Sequence, residues 1–295
     1  MNRVELGAGV LLTLVAYFVL ETELRTPLHA ATLPTRTVVT ASQPNTPGAA
    51  APAADAALTE RPATATEAAL TKRLATAPAA LPSERVSFRL ASGEAVFAYP
   101  PRQAIQGGAP AVVMLHGMCG EPQATCEWWS DAARDGSWLV CPEGNQSCGS
   151  ARDWSGTPAD RAAYLERVLA ELARLYPEHF DADARHVLVG FSRGAFVARD
   201  VAYASRGRYR ALVLMGAAAQ LDLAKLKANG ITRMVLASGD FDGARRTMQL
   251  LAHRANTAQL RARFISFGPI HHALPADLGR HVEGALAWLA EPPSA

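Results

Sequence analysis

From residue 85 onwards the chain alternates short, nearly continuous apolar runs with longer amphipathic stretches, and this alternation limits its fold more than any other feature. The apolar runs fall at residues 85–90, 95–99, 111–115, 138–141, 186–189, 211–215, 233–237 and 263–267. Runs such as AVVML, ALVLM and RMVLA are apolar at consecutive positions, so both faces of each strand require cover. Helical stretches at 158–175, 194–205, 243–254 and 275–289 separate most of the later runs and can supply that cover. The pattern predicts an α/β domain over residues 85–290, a mainly parallel eight-stranded sheet with helices on both faces. Only a turn at Ser92-Gly93 joins the first two runs, which predicts an antiparallel hairpin at one edge. No internal repeat is present.

The rest of the chain has a different texture. Residues 6–20 (LGAGVLLTLVAYFVL) form its one long apolar run, so a polytopic membrane protein is excluded. The run is at the upper end of the ~7–15 residues of a signal-peptide core and short of the ~20 of a full span. Glu21 and Glu23 follow it, and the nearest small-residue cleavage site, Leu28-His29-Ala30, is poor. Residues 1–26 are therefore expected to be an uncleaved signal anchor, with a cleaved signal peptide as the alternative. Residues 27–84 are rich in Ala, Pro and Thr with almost nothing large and apolar to bury, which predicts a flexible spacer. Lys+Arg 29 against Asp+Glu 27 leaves a formal net charge of +2 and no electrostatic case for nucleic acid.

All four cysteines, Cys119, Cys126, Cys141 and Cys148, fall in one short stretch as two C-x6-C pairs. An even count behind an export-type segment points to disulfides in an oxidising, extracytoplasmic compartment. Of three possible connectivities the spacing favours 119 with 126 and 141 with 148. Structural zinc is disfavoured because its ligand pairs usually stand two to four residues apart. Four reduced, buried thiols are a third reading.

The residues that carry chemistry begin after the run HVLV, where Gly190-Phe191-Ser192-Arg193-Gly194 leads into the helical run AFVARDVAYA. G-x-S-x-G between a strand and a helix is a nucleophile elbow. The turn is too tight for side chains at the two glycines, and it exposes the serine Oγ at the helix N-terminus, where backbone N–H groups favour developing negative charge. Ser192 needs a base, and the base needs an acid to orient it. Two later loops offer them. Ser238-Gly239-Asp240-Phe241-Asp242-Gly243 follows RMVLA, and Gly268-Pro269-Ile270-His271-His272-Ala273-Leu274-Pro275 follows RFISF. Asp242 is preferred to Asp240 because it lies deeper in its loop, next to the following helix.

Taken together, VVMLHGMCG, LVCPEGNQ, HVLVGFSRGAF, LASGDFDG and FGPIHHALP resemble the α/β-hydrolase superfamily over residues 85–290, and most closely its dienelactone hydrolase, polyhydroxybutyrate depolymerase and feruloyl esterase-like members. The resemblance implies an α/β-hydrolase fold, a triad of Ser192, His272 and Asp242, and ester hydrolysis through an acyl-enzyme without a cofactor or metal. His272 is preferred to His271 because H-x-x-P before a final helix matches the family's histidine loop. The oxyanion hole is expected from the backbone N–H groups of Arg193 and of Met118, in the loop His116-Gly117-Met118-Cys119-Gly120. Trp128, Trp129 and Trp154 are candidates for a pocket wall, with burial in the core as the plainer reading. Arg152 and Asp153 are as readily a surface pair. The expected partner is a small or polymeric ester, with membrane contact only through the N-terminal segment. A peptidase or thioesterase on the same triad, and a non-catalytic envelope module that keeps the fold, are the competing readings.

Overall fold

The computed structural model describes residues 80–291, so the expected anchor and nearly all of the expected spacer lie outside the described residues. Ten strands and six helices follow in order: β1 (Val86–Arg89), β2 (Ala95–Tyr99), β3 (Ala111–Leu115), α1 (Pro122–Ala133), β4 (Trp138–Pro142), β5 (Gln146–Cys148), β6 (Ala151–Asp153), α2 (Pro158–Leu175), β7 (His186–Phe191), α3 (Arg193–Ala204), β8 (Tyr209–Met215), α4 (Leu223–Ala228), β9 (Arg233–Ser238), α5 (Arg245–Thr257), β10 (Arg261–Ser266) and α6 (Leu278–Ala290). Eight strands form one sheet in the order β1-β2-β4-β3-β7-β8-β9-β10, while β5 and β6 make a separate hairpin. From β4 to β10 the neighbours run parallel, and β2 is antiparallel to both β1 and β4. This is the fold class expected from the alternation, including the hairpin at one edge.

Strand alternation divides the core in two. Ala111, Val113 and Leu115 of β3 face the layer containing Leu165, Leu169, Val197 and Met248 from α2, α3 and α5, whereas Val112 and Met114 face Trp129, Val282 and Trp288 from α1 and α6. The longest cover helix, α2, starts with Pro158 in its first turn and a capping box in which Thr157 Oγ1 accepts from Asp160 N–H and Asp160 accepts from Thr157 N–H. At the far end of the sheet Arg210 donates to Leu289 O (2.9 Å) and Arg233 to Glu291 O (2.7 Å), so two strand arginines cap the final helix.

The disulfide pairing differs from the expected one. Cys119 bonds Cys148 and Cys126 bonds Cys141, a nested arrangement with Cα–Cα separations of 5.5 and 5.8 Å. The cause is α1, a helix not among the expected ones: it carries Cys126 back over β4, where Cys141 is buried beneath it. Cys119, in the loop after β3, is left to meet the β5 end at Cys148. With all four thiols paired, neither zinc ligation nor reduced burial applies, and the bonds point to an oxidising, extracytoplasmic setting. No helix among the described residues is long and apolar enough to cross a membrane.

His186 begins β7 inside the core, its Nδ1 accepting the Ala111 N–H (3.1 Å) and its ring stacked on Phe180. Burial, with Arg208 and Arg210 nearby, pushes the imidazole down from 6.5 to about 3. Between those values the unfolded chain takes up a proton that the folded chain refuses. Stability is thus complete above about pH 6.5 and falls by about 1.4 kcal/mol per unit of acidification across the window. Urea unfolding midpoints measured from pH 7 to 4 should fall more steeply for the wild type than for His186→Gln, which keeps an acceptor for Ala111. Equal slopes would assign the acid sensitivity to other groups.

Candidate active site

The elbow is built by the close approach of three backbones. A Cβ at Gly190 would stand 2.2 Å from Gly194 O, and one at Gly194 would stand 2.2 Å from Leu115 O. Between them Ser192 adopts φ 52°, ψ −118°, in the left-handed half of the map that a side chain rarely enters, and its N–H donates to Met215 O (2.9 Å). Its hydroxyl is thereby fixed at the C-terminal edge of the sheet, at the head of α3.

Two loops from the same edge meet it. Ser192 Oγ lies 2.8 Å from His272 Nε2, and His272 Nδ1 lies 2.9 Å from Asp242 Oδ2. With Nδ1–H donating to the carboxylate, Nε2 is left to accept the serine proton. Asp242 is buried, and its second oxygen accepts the Ala244 N–H (2.8 Å), so both oxygens are held. The His272 ring stacks on Phe191 at 5.2 Å. Gly216, at the end of β8 with φ 57°, leaves the room the pair occupies: a Cβ there would come within 3.0 Å of His272 Cε1 and 3.2 Å of Asp242 Oδ2. Sequence reading passed over Gly216, although a glycine directly after a fully apolar strand was the available signal.

The alternative candidates are held elsewhere. Asp240 accepts the Ser266 hydroxyl and pairs with the Arg245 guanidinium. His271 is exposed with its ring against Phe241.

Beside Ser192 a cavity of about 220 Å³ is lined by Met118, Arg161, Arg193, Phe196 and Val197. The two residues expected to donate to an oxyanion, Met118 and Arg193, are therefore both on its wall. Arg193 opens α3, so its N–H has no acceptor within the helix. The Met118 loop is shaped by His116, which is buried and kept neutral because burial lowers its basicity. His116 Nδ1–H donates to Gly117 O (2.7 Å), its Nε2 accepts Gly144 N–H (3.1 Å), and its own carbonyl accepts the Trp154 indole N–H (2.9 Å). The Arg193 side chain pairs with Asp153 (3.2 Å), and Arg161 pairs with Asp200 (2.7 Å).

None of the three tryptophans lines this cavity. Trp129 and Trp154 are fully buried, the latter as the support of His116, and Trp128 lies half-exposed in a groove between α1 and α6. Arg152 and Asp153 do not pair with each other: Arg152 donates to Gly144 O (2.9 Å), and Asp153 holds Arg193. Among the described residues no group of three or more His, Cys, Asp or Glu side chains is placed to hold a metal ion.

No protein-family model matches the chain. No curated protein matches it by sequence. Solved structures do match, and they define the class: the chain has the α/β-hydrolase fold. A carboxylesterase of Bacillus cereus is similar at a TM-score of 0.50 and 17% identity, over 66% of this chain and 93% of its own. A fluorophosphonate-binding serine hydrolase of Staphylococcus aureus, solved with substrate bound, is similar at 0.50 and 11% identity, over 73% and 100%. An esterase of Pyrobaculum calidifontis is similar at 0.50 and 15% identity, over 76% and 89%. At these identities the likeness is one of fold.

Proposed function

We propose that the protein is an exported serine hydrolase that cleaves carboxylic esters through an acyl-enzyme. The observation that carries this reading is the unbroken hydrogen-bonded chain from Ser192 Oγ through His272 to buried Asp242, opening onto a cavity. The activities named for the three similar structures agree with it.

In this mechanism Ser192 Oγ attacks the ester carbonyl as His272 Nε2 takes its proton, and Asp242 stabilises the imidazolium that forms. The N–H groups of Met118 and Arg193 receive the carbonyl oxygen as it becomes negative. His272 returns the proton to the departing alcohol, then activates a water that attacks the acyl-enzyme and frees Ser192. The first proton moves between groups already in contact, Ser192 Oγ and His272 Nε2, and the sequence of steps calls for no cofactor.

At about 220 Å³ the cavity is smaller than the roughly 300–1,000 Å³ of sites that enclose whole drug-sized ligands, so it suits one short arm of the ester. The apolar run at residues 6–20 supports a membrane tether outside the cytoplasm. One experiment addresses these points. The full chain, recovered from membranes of an expressing cell, is treated with a fluorophosphonate and mapped by mass spectrometry, then offered p-nitrophenyl esters of increasing acyl length. The expected result is adduct on Ser192, a retained N-terminal peptide and turnover that falls as the acyl chain lengthens. A folded, disulfide-intact protein that neither labels nor turns over any ester would refute the hydrolase reading.

A further inference from the structure

We propose that the Cys119–Cys148 disulfide is a redox clasp on the oxyanion loop: a dithiol that opens it slows ester turnover while the domain stays folded. This rests on the ester-hydrolase reading above, since it assigns a rate to the position of Met118.

The two disulfides have opposite surroundings. Cys126 and Cys141 are both buried, between α1 and β4. Cys119 is exposed and Cys148 only half-buried, on the outer side of the loop that carries Met118. A thiolate needs access to one sulfur of a disulfide, so the outer bond is open to reduction and the inner one is shielded.

The outer bond also sits where it can be felt. On one side of Met118, His116 is anchored by its bonds to Gly117, Gly144 and Trp154, and Gly117 lies against the elbow, so that a Cβ there would stand 3.4 Å from Ser192 Cβ. On the other side Cys119 has φ 49°, a left-handed backbone that a non-glycine residue adopts only at a cost and under restraint. Its side chain is bonded to the end of β5, and the next residue, Gly120, bridges Arg152 of β6. The β5–β6 hairpin also carries Asp153, which holds the Arg193 side chain. The disulfide thus ties the Met118 loop to the hairpin that touches the other donor residue. Once the bond opens, Cys119 can relax out of its left-handed conformation and carry the adjoining Met118 with it.

The chemistry balances without further reagents. One thiolate of the dithiol attacks an outer sulfur to form a mixed disulfide. The second thiol displaces the cysteine, and the dithiol leaves as its cyclic disulfide. Two electrons pass to the protein, and two protons end on the sulfurs of Cys119 and Cys148.

The full-length protein, oxidised and after dithiothreitol under native conditions, is tested for alkylation by mass spectrometry, thermal unfolding and ester kinetics. The expected result is alkylation at Cys119 and Cys148 alone and a kcat lowered about tenfold or more, given that losing one oxyanion donor outright costs about 100–1,000-fold. KM should change little. The unfolding temperature should fall by several degrees as the unfolded chain regains its loop entropy but stay well above the assay temperature, and reoxidation should restore both it and the rate. Cys119→Ser with Cys148→Ser should show the same fall in kcat without reductant. Cys119→Gly with Cys148→Ser, which accepts a left-handed backbone freely, should recover part of it. Reduction of both bonds together, loss of the rate only through unfolding, or an unchanged kcat with the outer thiols alkylated would each overturn the clasp. An oxidised protein with no ester turnover would instead remove the reading beneath it.

Discussion

Replacing Ser192 or His272 by alanine should lower kcat/KM for a p-nitrophenyl ester by about ten-thousandfold or more, while His271→Ala changes it by no more than about twofold. The asymmetry between adjacent histidines follows from contact. His272 touches both Ser192 and Asp242, whereas His271 has its ring on Phe241 at the surface. Removing a member of a hydrogen-bonded triad forfeits what the whole unit supplies, so the serine and histidine variants should be about equally poor and their double variant scarcely worse. Circular dichroism and thermal unfolding close to those of the wild type would show that the loss is chemical. Substantial turnover in His272→Ala, with loss in His271→Ala, would transfer the role of base to His271.

The second large effect is expected at Gly194. A methyl group there would stand 2.2 Å from Leu115 O and 2.5 Å from His116 O, both backbone atoms of the strand and loop that carry Met118. Overfilled sites typically cost about 1–3 kcal/mol when side chains can give way, and here no side chain can. Gly194→Ala should therefore lose about 3 kcal/mol or more, or about 6–12 °C in unfolding temperature for a domain of this size. Because the displacement falls on the elbow, fluorophosphonate labelling should be lost as well. Gly284→Ala in α6, an exposed position where a Cβ meets nothing within 4 Å, is the matched control and should be neutral or mildly stabilising. Equal stability of the two variants would mean that strand and elbow can separate more freely than their spacing implies.

Strands β3, β4, β7, β8 and β9 were legible because each is an apolar run buried on both faces, the trace a parallel sheet leaves, whereas β1, β2 and β10 toward the edges showed through alternation of buried and more exposed residues. Helix α1 was not read, since PQATCEWWSDAA looks mixed until one sees that Cys126, Trp129, Ala132 and Ala133 share a face at helical spacing. That omission led directly to the wrong cysteine pairing, because spacing along the chain says nothing about a helix that doubles back over a strand. Strand order and the β5–β6 hairpin were not read either. Both depend on which partners a strand finds, not on its own residues.

At the site, the elbow motif and the order of the later loops narrowed each position to one or two residues. Choosing within a pair is a question of loop backbone. Asp240 N–H donates to Gly268 O (2.8 Å) and Phe241 N–H to Ile270 O (3.0 Å), which turns the Asp240 side chain to Ser266 and leaves Asp242 facing His272. No composition or motif carries that information. Trp154 is a similar case: its indole N–H holds the carbonyl of His116 across a long stretch of chain, and nothing nearby in sequence marks the pair.

The sheet ends at β10 on one side, where Arg261 and Arg263 point outward with their guanidinium groups over Trp288. A strand from another molecule could add there only by drawing those charges away from water. On the other side β1 offers four residues, with Arg89 exposed among them, too short a stretch to hold a newcomer firmly. Among the described residues, both open margins of the sheet are thus guarded, one by charge and one by brevity. Strand-to-strand addition between copies is the route to aggregation that these two margins oppose.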